Sequence, residues 1–202
     1  AVAAMAPGLA AAQNITVKGS DTMVLLAQKW AEVYQNGNPG VAIQVTGGGS
    51  GTGIAALING TCNIANSSRD LKGSERKLAL SSGTEIHEFP VGLDAICVVV
   101  NAANPVDQLT TEQLRRIYTG GINSWREVGG GSGSVIRYSR ENSSGTYAFM
   151  KEHILQNKDY APDCQTMPGT AAVADAVAKD VNGIGYGGVA DFLTRTDCKV
   201  LR

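Results

Sequence analysis

Four short stretches of this chain concentrate the residue types that could handle an anion. Gly19-Ser20-Asp21-Thr22 is the first. Thr46 to Gly53 reads T-G-G-G-S-G-T-G, so Ser50 and Thr52 stand among glycines, with Gly51 between them. Asn66-Ser67-Ser68-Arg69-Asp70 adds an arginine to a pair of hydroxyls. Arg140-Glu141-Asn142-Ser143-Ser144-Gly145-Thr146 repeats that combination in the second half of the chain. Glycine lets backbone N–H groups come close to a ligand, and a helix N-terminus adds unpaired donors and a favourable field. Hydroxyls add further donors, and the planar fork of arginine suits oxyanions. The chemistry implied is recognition of a small oxyanion. The Thr46–Gly53 turn is not a Walker A loop, because no lysine follows its glycines, and it fits G-x-G-x-x-G only loosely. A tight strand-to-helix turn with packing glycines explains that stretch equally well.

Each turn has elements on either side that would position it. Asn14–Lys18 and Val41–Val45 alternate as half-buried strands do, and Ser134–Tyr138 reads as another strand. Met23, Val24, Leu26, Ala27, Trp30, Ala31 and Tyr34 recur with helical spacing, and Ser20 or Asp21 could cap that helix. Ile54–Ile58 predicts a second helix, and Tyr147, Phe149, Met150, His153, Ile154 and Leu155 a third. Cys62–Ala65 is a short strand, and Leu93–Val100 reads as a central, well-buried one. Thr110 with Gln113 makes a capping box. An alanine–valine helix over Ala171–Ala178 and strands over 182–188 and 198–201 complete the pattern. Alternating strand and helix predicts an α/β fold, and in an open α/β sheet the carboxyl ends of the strands share the ligand-binding edge.

The chain has 202 residues, 43% hydrophobic, and a formal net charge of -1. That suffices for one domain or two small ones and offers no bulk attraction to nucleic acid. No apolar run is long enough to span a bilayer. Ala1–Gln13 resembles the end of a secretory signal without its basic start, or a plain alanine-rich leader. Cys62, Cys97, Cys164 and Cys198 allow two disulfides, and pairing within each half (Cys62 with Cys97, Cys164 with Cys198) is preferred. Their spacing has no zinc signature, and neither metal nor cofactor is expected.

Taken together, the four turns resemble those of the substrate-binding proteins of bacterial phosphate importers. The supporting motifs are G-S-D-T at Gly19, T-G-G-G-S-G-T-G at Thr46, I-A-N-S-S-R at Ile64 and R-E-N-S-S-G-T at Arg140. Further stretches are L-T-x-E-Q-L from Leu109, the segment from Tyr118 to Val128, P-G-T-A-A-V from Pro168 and G-I-G-Y-G-G from Gly183. The resemblance covers about Ile15 to Val200. It implies a periplasmic binding protein of type II fold, whose two α/β lobes close on one phosphate. It also implies a periplasmic or extracellular location and delivery to the membrane permease of an ABC importer, with no chemistry on the ligand. Carried over by motif, Ser20, Asp21, Thr22, Ser50, Gly51, Thr52, Ser68 and Arg69 would hold phosphate from lobe one. Arg140, Ser144, Gly145 and Thr146 would hold it from lobe two. The expected organisation is a leader over 1–13, lobe one over 14–101, lobe two over 102–190 and a terminal strand or return crossover over 191–202.

Two departures from the family stand out. Many relatives carry an aspartate in the turn that here reads Ser67-Ser68-Arg69, where it accepts the proton of hydrogen phosphate. Asp21 is the favoured substitute here, Asp70 the other candidate. Relatives also continue beyond the last strand and return to lobe one, so a fold truncated at its C-terminus is expected, with a second chain or self-association covering an exposed sheet edge. Two rival readings follow. An enzyme would need Ser144 and His153 in a triad, but they lie more than two turns apart on one predicted helix. A structural or interaction module in an extracellular assembly would keep the fold and drop transport.

Overall fold

A computed structural model describes residues 13–202. The leader reading therefore falls almost wholly outside the described residues. Strand β1 (Gln13–Gly19) leads through a single 3-10 turn into helix α1 (Val24–Gly37). Strand β2 (Val41–Thr46) feeds the glycine-rich turn and helix α2 (Ser50–Ile58), and β3 (Ile64–Asn66) follows. These three strands form a parallel sheet in the order β2-β1-β3. Being parallel, they bring Gly19, Thr46 and Asn66 to one edge. The residues expected to cap α1 do not do so: neither Ser20 nor Asp21 makes a side-chain cap. Both are turned instead toward the cleft described below.

Helix α3 (Gly73–Ser81) closes the first lobe, and an irregular run over 82–95 leads to the second. There β4 (Ile96–Asn101), α4 (Thr111–Tyr118), β5 (Ile136–Arg140), α5 (Gly145–Phe149), β6 (Gln165–Met167), α6 (Thr170–Lys179), β7 (Gly183–Gly188) and β8 (Cys198–Val200) follow in order. The strand order is β6-β5-β7-β4-β8. β5 runs parallel to β6 and β7, whereas β4 is antiparallel to β7 and β8. β4 thus belongs to the second sheet, so the change of sheet precedes it, and the lobe boundary expected at residues 101 and 102 does not coincide with it. The Thr110–Gln113 capping box forms, with both reciprocal hydrogen bonds present.

The second sheet carries most of the core. On one face Leu114, Ile117, Tyr118, Ile122, Trp125, Met150 and Leu155 pack against Val100, Ile184 and Tyr186. On the other, Val173, Ala174 and Val177 of α6 join Phe192 against Val99 and Tyr138. The adjacent Val99 and Val100 serve opposite faces, as the period-two pleat requires. Each such side chain contributes roughly 1.5–3 kcal/mol by leaving water. Lobe one has a smaller cluster of Ile54, Ile58 and Ala79. Leu25, Trp30 and Val33 of α1 remain on its surface.

The disulfide expectation is overturned, since all four cysteines are free. Cys62 stands in lobe one, its thiol on the Gly53 carbonyl, while Cys97 lies on β4 of the other sheet. Cys164 packs with the Tyr118 cluster and Cys198 with the α6 cluster, on opposite faces of the second sheet. A bridge needs Cα atoms within about 7 Å, which chain halves alone do not guarantee. Burial pushes the thiols of Cys97 and Cys164 up to about 11, so they are protonated packing groups.

Candidate functional site

The carboxyl edges of the two sheets face each other, and the four turns meet there. From lobe one, the Ser20 hydroxyl lies 2.8 Å from that of Thr22, and the Ser20 amide donates to the carbonyl of Asn66. Ser50 opens α2 and is fully buried. Its hydroxyl accepts the Ser68 amide at 3.1 Å and lies 3.3 Å from the Ser68 hydroxyl. Thr52 is half-buried one residue beyond Gly51.

From lobe two, β5 ends in Arg140, whose side chain is 1% exposed. Its Nη1 donates to the Thr170 hydroxyl at 2.9 Å, and its Nη2 to Asp21 Oδ2 at 2.6 Å. Its Nε is buried and has no partner among the described residues. Asp21 Oδ1 accepts the Gly48 amide at 2.9 Å. Asp21 therefore joins the glycine turn of its own lobe to the arginine of the other. A guanidinium taken out of water needs such a counter-charge. Ser144 caps α5 by accepting the Tyr147 amide, and it and Thr146 are each 2% exposed.

The lobes touch directly. The Gly51 amide donates to the Ser143 carbonyl at 2.9 Å. A Cβ on Gly145 would lie 2.5 Å from the Ser68 hydroxyl and 2.7 Å from that of Ser50. A side chain there would require those serines or the lobes to move.

Arg69 is placed differently from the rest. Its Nη1 and Nη2 donate to Glu75 at 2.8 and 2.7 Å, and Nη1 also reaches the Asp70 carbonyl. The hydrogen bonds from Arg69 hold the Glu75 carboxyl below its usual range. The charge of Arg69 is thus spent within lobe one. The sequence reading also passed over Thr170, Ser143 and Glu75. The P-G-T motif that precedes the alanine–valine helix was the available signal for Thr170. For Ser143, whose contribution is a backbone carbonyl, residue type carries no signal.

The imagined triad is not assembled. Ser144 is occupied as a helix cap, and the His153 ring lies against Phe149 at 4.4 Å. Near the rim, Asp191 is held above the usual carboxylate range by burial and by the neighbouring Asp94.

Residues 4–200 match the PBP superfamily domain. The chain is 33% identical to the phosphate-binding protein PstS of Pseudomonas aeruginosa, over 94% of this chain and 65% of that protein. It is 32% identical to the protein SphX of Synechococcus elongatus, over 88% of this chain and 55% of that one. The chain thus spans between about half and two thirds of the length of these curated relatives. Among solved structures, one described as a phosphate ABC transporter substrate-binding protein with bound phosphate, from Clostridium perfringens, superposes with a TM-score of 0.86 at 28% identity, covering 94% of this chain and 75% of that one. A two-sheet α/β fold, a cleft at facing strand ends and this set of matches agree: the chain belongs to the PBP superfamily, with the two-lobed type II fold of the periplasmic binding proteins, and its relatives there include the phosphate-binding protein PstS.

Proposed function

We propose that the chain binds inorganic phosphate outside the cytoplasm and delivers it to the membrane permease of an ABC importer. The observation that carries this reading is the buried Nε of Arg140, a donor without a partner among the described residues, on a guanidinium whose other nitrogens hold Thr170 of its own lobe and Asp21 of the other. A buried cationic donor calls for an anionic acceptor. Ser144, the Gly145 amide and Thr146 are the donors offered by lobe two. Ser20, Thr22, Ser50 and the Thr52 amide are those of lobe one, with Ser68 at the rim. The Gly51 amide is engaged by Ser143 when the lobes meet, and Arg69 by Glu75, so both support the wall rather than the ligand.

Asp21 gives the site its selectivity in this reading. A carboxylate only accepts hydrogen bonds. Beside an anion it tolerates hydrogen phosphate, which brings a proton, and repels sulfate, which does not. Location and delivery are supported by the family and by two of the matches, one named a phosphate-binding protein and one a phosphate ABC transporter substrate-binding protein.

Calorimetric titration of dialysed protein with phosphate, and separately with sulfate, tests the reading. The expected result is a phosphate Kd on the order of micromolar or tighter, with sulfate at least about a hundredfold weaker, equivalent to about 2.7 kcal/mol. Folded protein that gives no heat with phosphate and no competition with either anion would overturn it.

A further inference from the structure

Beneath the Arg140–Thr146 loop lies a set of buried hydroxyls that the anion reading leaves unused. The Tyr186 hydroxyl lies 2.9 Å from Ser139 Oγ, 2.9 Å from the Tyr160 hydroxyl and 3.4 Å from the Arg140 amide. The Tyr160 hydroxyl reaches the Tyr147 carbonyl at 3.4 Å. Its ring stacks on that of Tyr147, with centroids 4.7 Å apart. Tyr118 meets the rings of both Tyr160 and Tyr186 edge-on.

Proton counting gives this chain a direction. A phenol has one proton, and a carbonyl only accepts. Tyr160 must therefore donate to the Tyr147 carbonyl, which leaves Tyr186 to donate to Tyr160. The oxygen of Tyr186 then accepts from the Arg140 amide and, at 2.9 Å, from the Ser139 hydroxyl, whose other acceptor, the Arg140 carbonyl, is farther off at 3.5 Å. The run begins at Ser139 and Arg140, where β5 delivers the loop, and ends at Tyr147, where α5 receives it. Burial raises the phenols of Tyr160 and Tyr186, so both remain donors through the physiological range.

We propose that Tyr186 and Tyr160 are positioning residues for the anion loop: their linked hydroxyls brace its two shoulders, fixing Arg140 relative to Ser144, Gly145 and Thr146. This inference rests on the reading of the loop as the lobe-two half of an anion site. The brace itself can be measured without any anion.

Tyr186→Phe deletes the central hydroxyl and keeps the ring. Tyr160→Phe deletes the link to Tyr147. Tyr118→Phe is the control, because its hydroxyl serves the Tyr138 and Ile184 carbonyls within the sheet and not the loop. Hydrogen exchange in anion-free protein is followed at the hydrogen-bonded amides of Ser144, Tyr147 and Ala148. Each brace variant is expected to exchange there about tenfold faster, and to bind phosphate about tenfold more weakly, the range of one net hydrogen bond. α2 should be unchanged, and Tyr118→Phe should not single out the loop. Loop exchange unaltered in both brace variants, or accelerated equally across the whole of lobe two, would overturn the brace. Faster loop exchange in a protein whose wild type binds no phosphate would uphold the brace and remove the phosphate reading instead.

Discussion

Asp21 is the residue on which the two lobes most directly depend. One of its oxygens takes a backbone N–H from the glycine turn, and the other takes a guanidinium N–H from Arg140. Truncating it removes a tie between lobes and leaves Arg140 buried with only Thr170 at hand. Removing one partner of a buried pair costs about 3–5 kcal/mol, and the 18% exposure of the Asp21 side chain moves the expectation toward the lower end. Asp21→Ala is therefore expected to destabilise the anion-free protein by about 2–3 kcal/mol. Phosphate should raise its melting temperature by more than it raises that of wild type, since the ligand then supplies the missing negative charge. Scanning calorimetry with and without phosphate checks both expectations, and an Asp21→Ala melt equal to wild type would exclude Asp21 as the tie. At this scale the sequence treats Arg140 and Arg69 alike, each beside hydroxyls in a turn after a strand, whereas the structure ties Arg140 to Asp21 of the other lobe and Arg69 to Glu75 of its own. The partner that neutralises Arg69, Glu75, lies six residues on and across a loop, a separation at which no local spacing rule operates.

The elements were read with more success than their assembly. β1, β2, α2, β5 and β7 are visible as period-two or helical patterns, because each has one face toward a core and the other toward water. Sheet membership is different. β4 has the apolar content of a buried strand whichever sheet it joins, and its pairing with Gly183–Gly188 is set by contacts more than eighty residues away in sequence. The free cysteines share that cause, since nothing local separates the faces on which Cys164 and Cys198 lie. The glycine-rich turn shows cradle and packing roles side by side. Gly51 offers its amide to the other lobe, whereas Gly53 seats α2 on β1: a Cβ there would lie 2.3 Å from the Lys18 carbonyl oxygen and 2.6 Å from Gly19 Cα. Both obstacles are backbone and cannot swing aside. Gly53→Ala is thus expected to destabilise lobe one by about 1–3 kcal/mol. Gly37→Ala, at the end of α1 where an added Cβ meets nothing within 4 Å, should be neutral or stabilise by up to about 1 kcal/mol. Urea denaturation of the two variants distinguishes them, and equal midpoints would show that α2 has room to lift from β1.

For the molecule as a whole, closure is decided where the two carboxyl edges meet, and there the lobes touch through backbone and short side chains. The Gly51 amide meets the Ser143 carbonyl, and Gly145 fits against the hydroxyls of Ser50 and Ser68. None of these residues belongs to the clusters around Tyr118, around α6 or around Ile54 that form the cores of the lobes. Closure and folding are therefore separable by mutation. Gly145→Ala places a methyl where 2.5 Å and 2.7 Å are available to two serine hydroxyls. Those hydroxyls are held, Ser50 being fully buried and accepting the Ser68 amide, so the strain is relieved most cheaply by parting the lobes. The expected outcome is a larger radius of gyration in solution scattering with phosphate present, and phosphate affinity lower by at least about tenfold, because donors from one lobe no longer reach an anion held by the other. Unfolding in the absence of phosphate should change little. A variant that closes and binds as wild type does would mean that the Ser50 and Ser68 hydroxyls shift more readily than the lobes part. The serines around the turn that opens α2 would then be softer than the contact between the lobes.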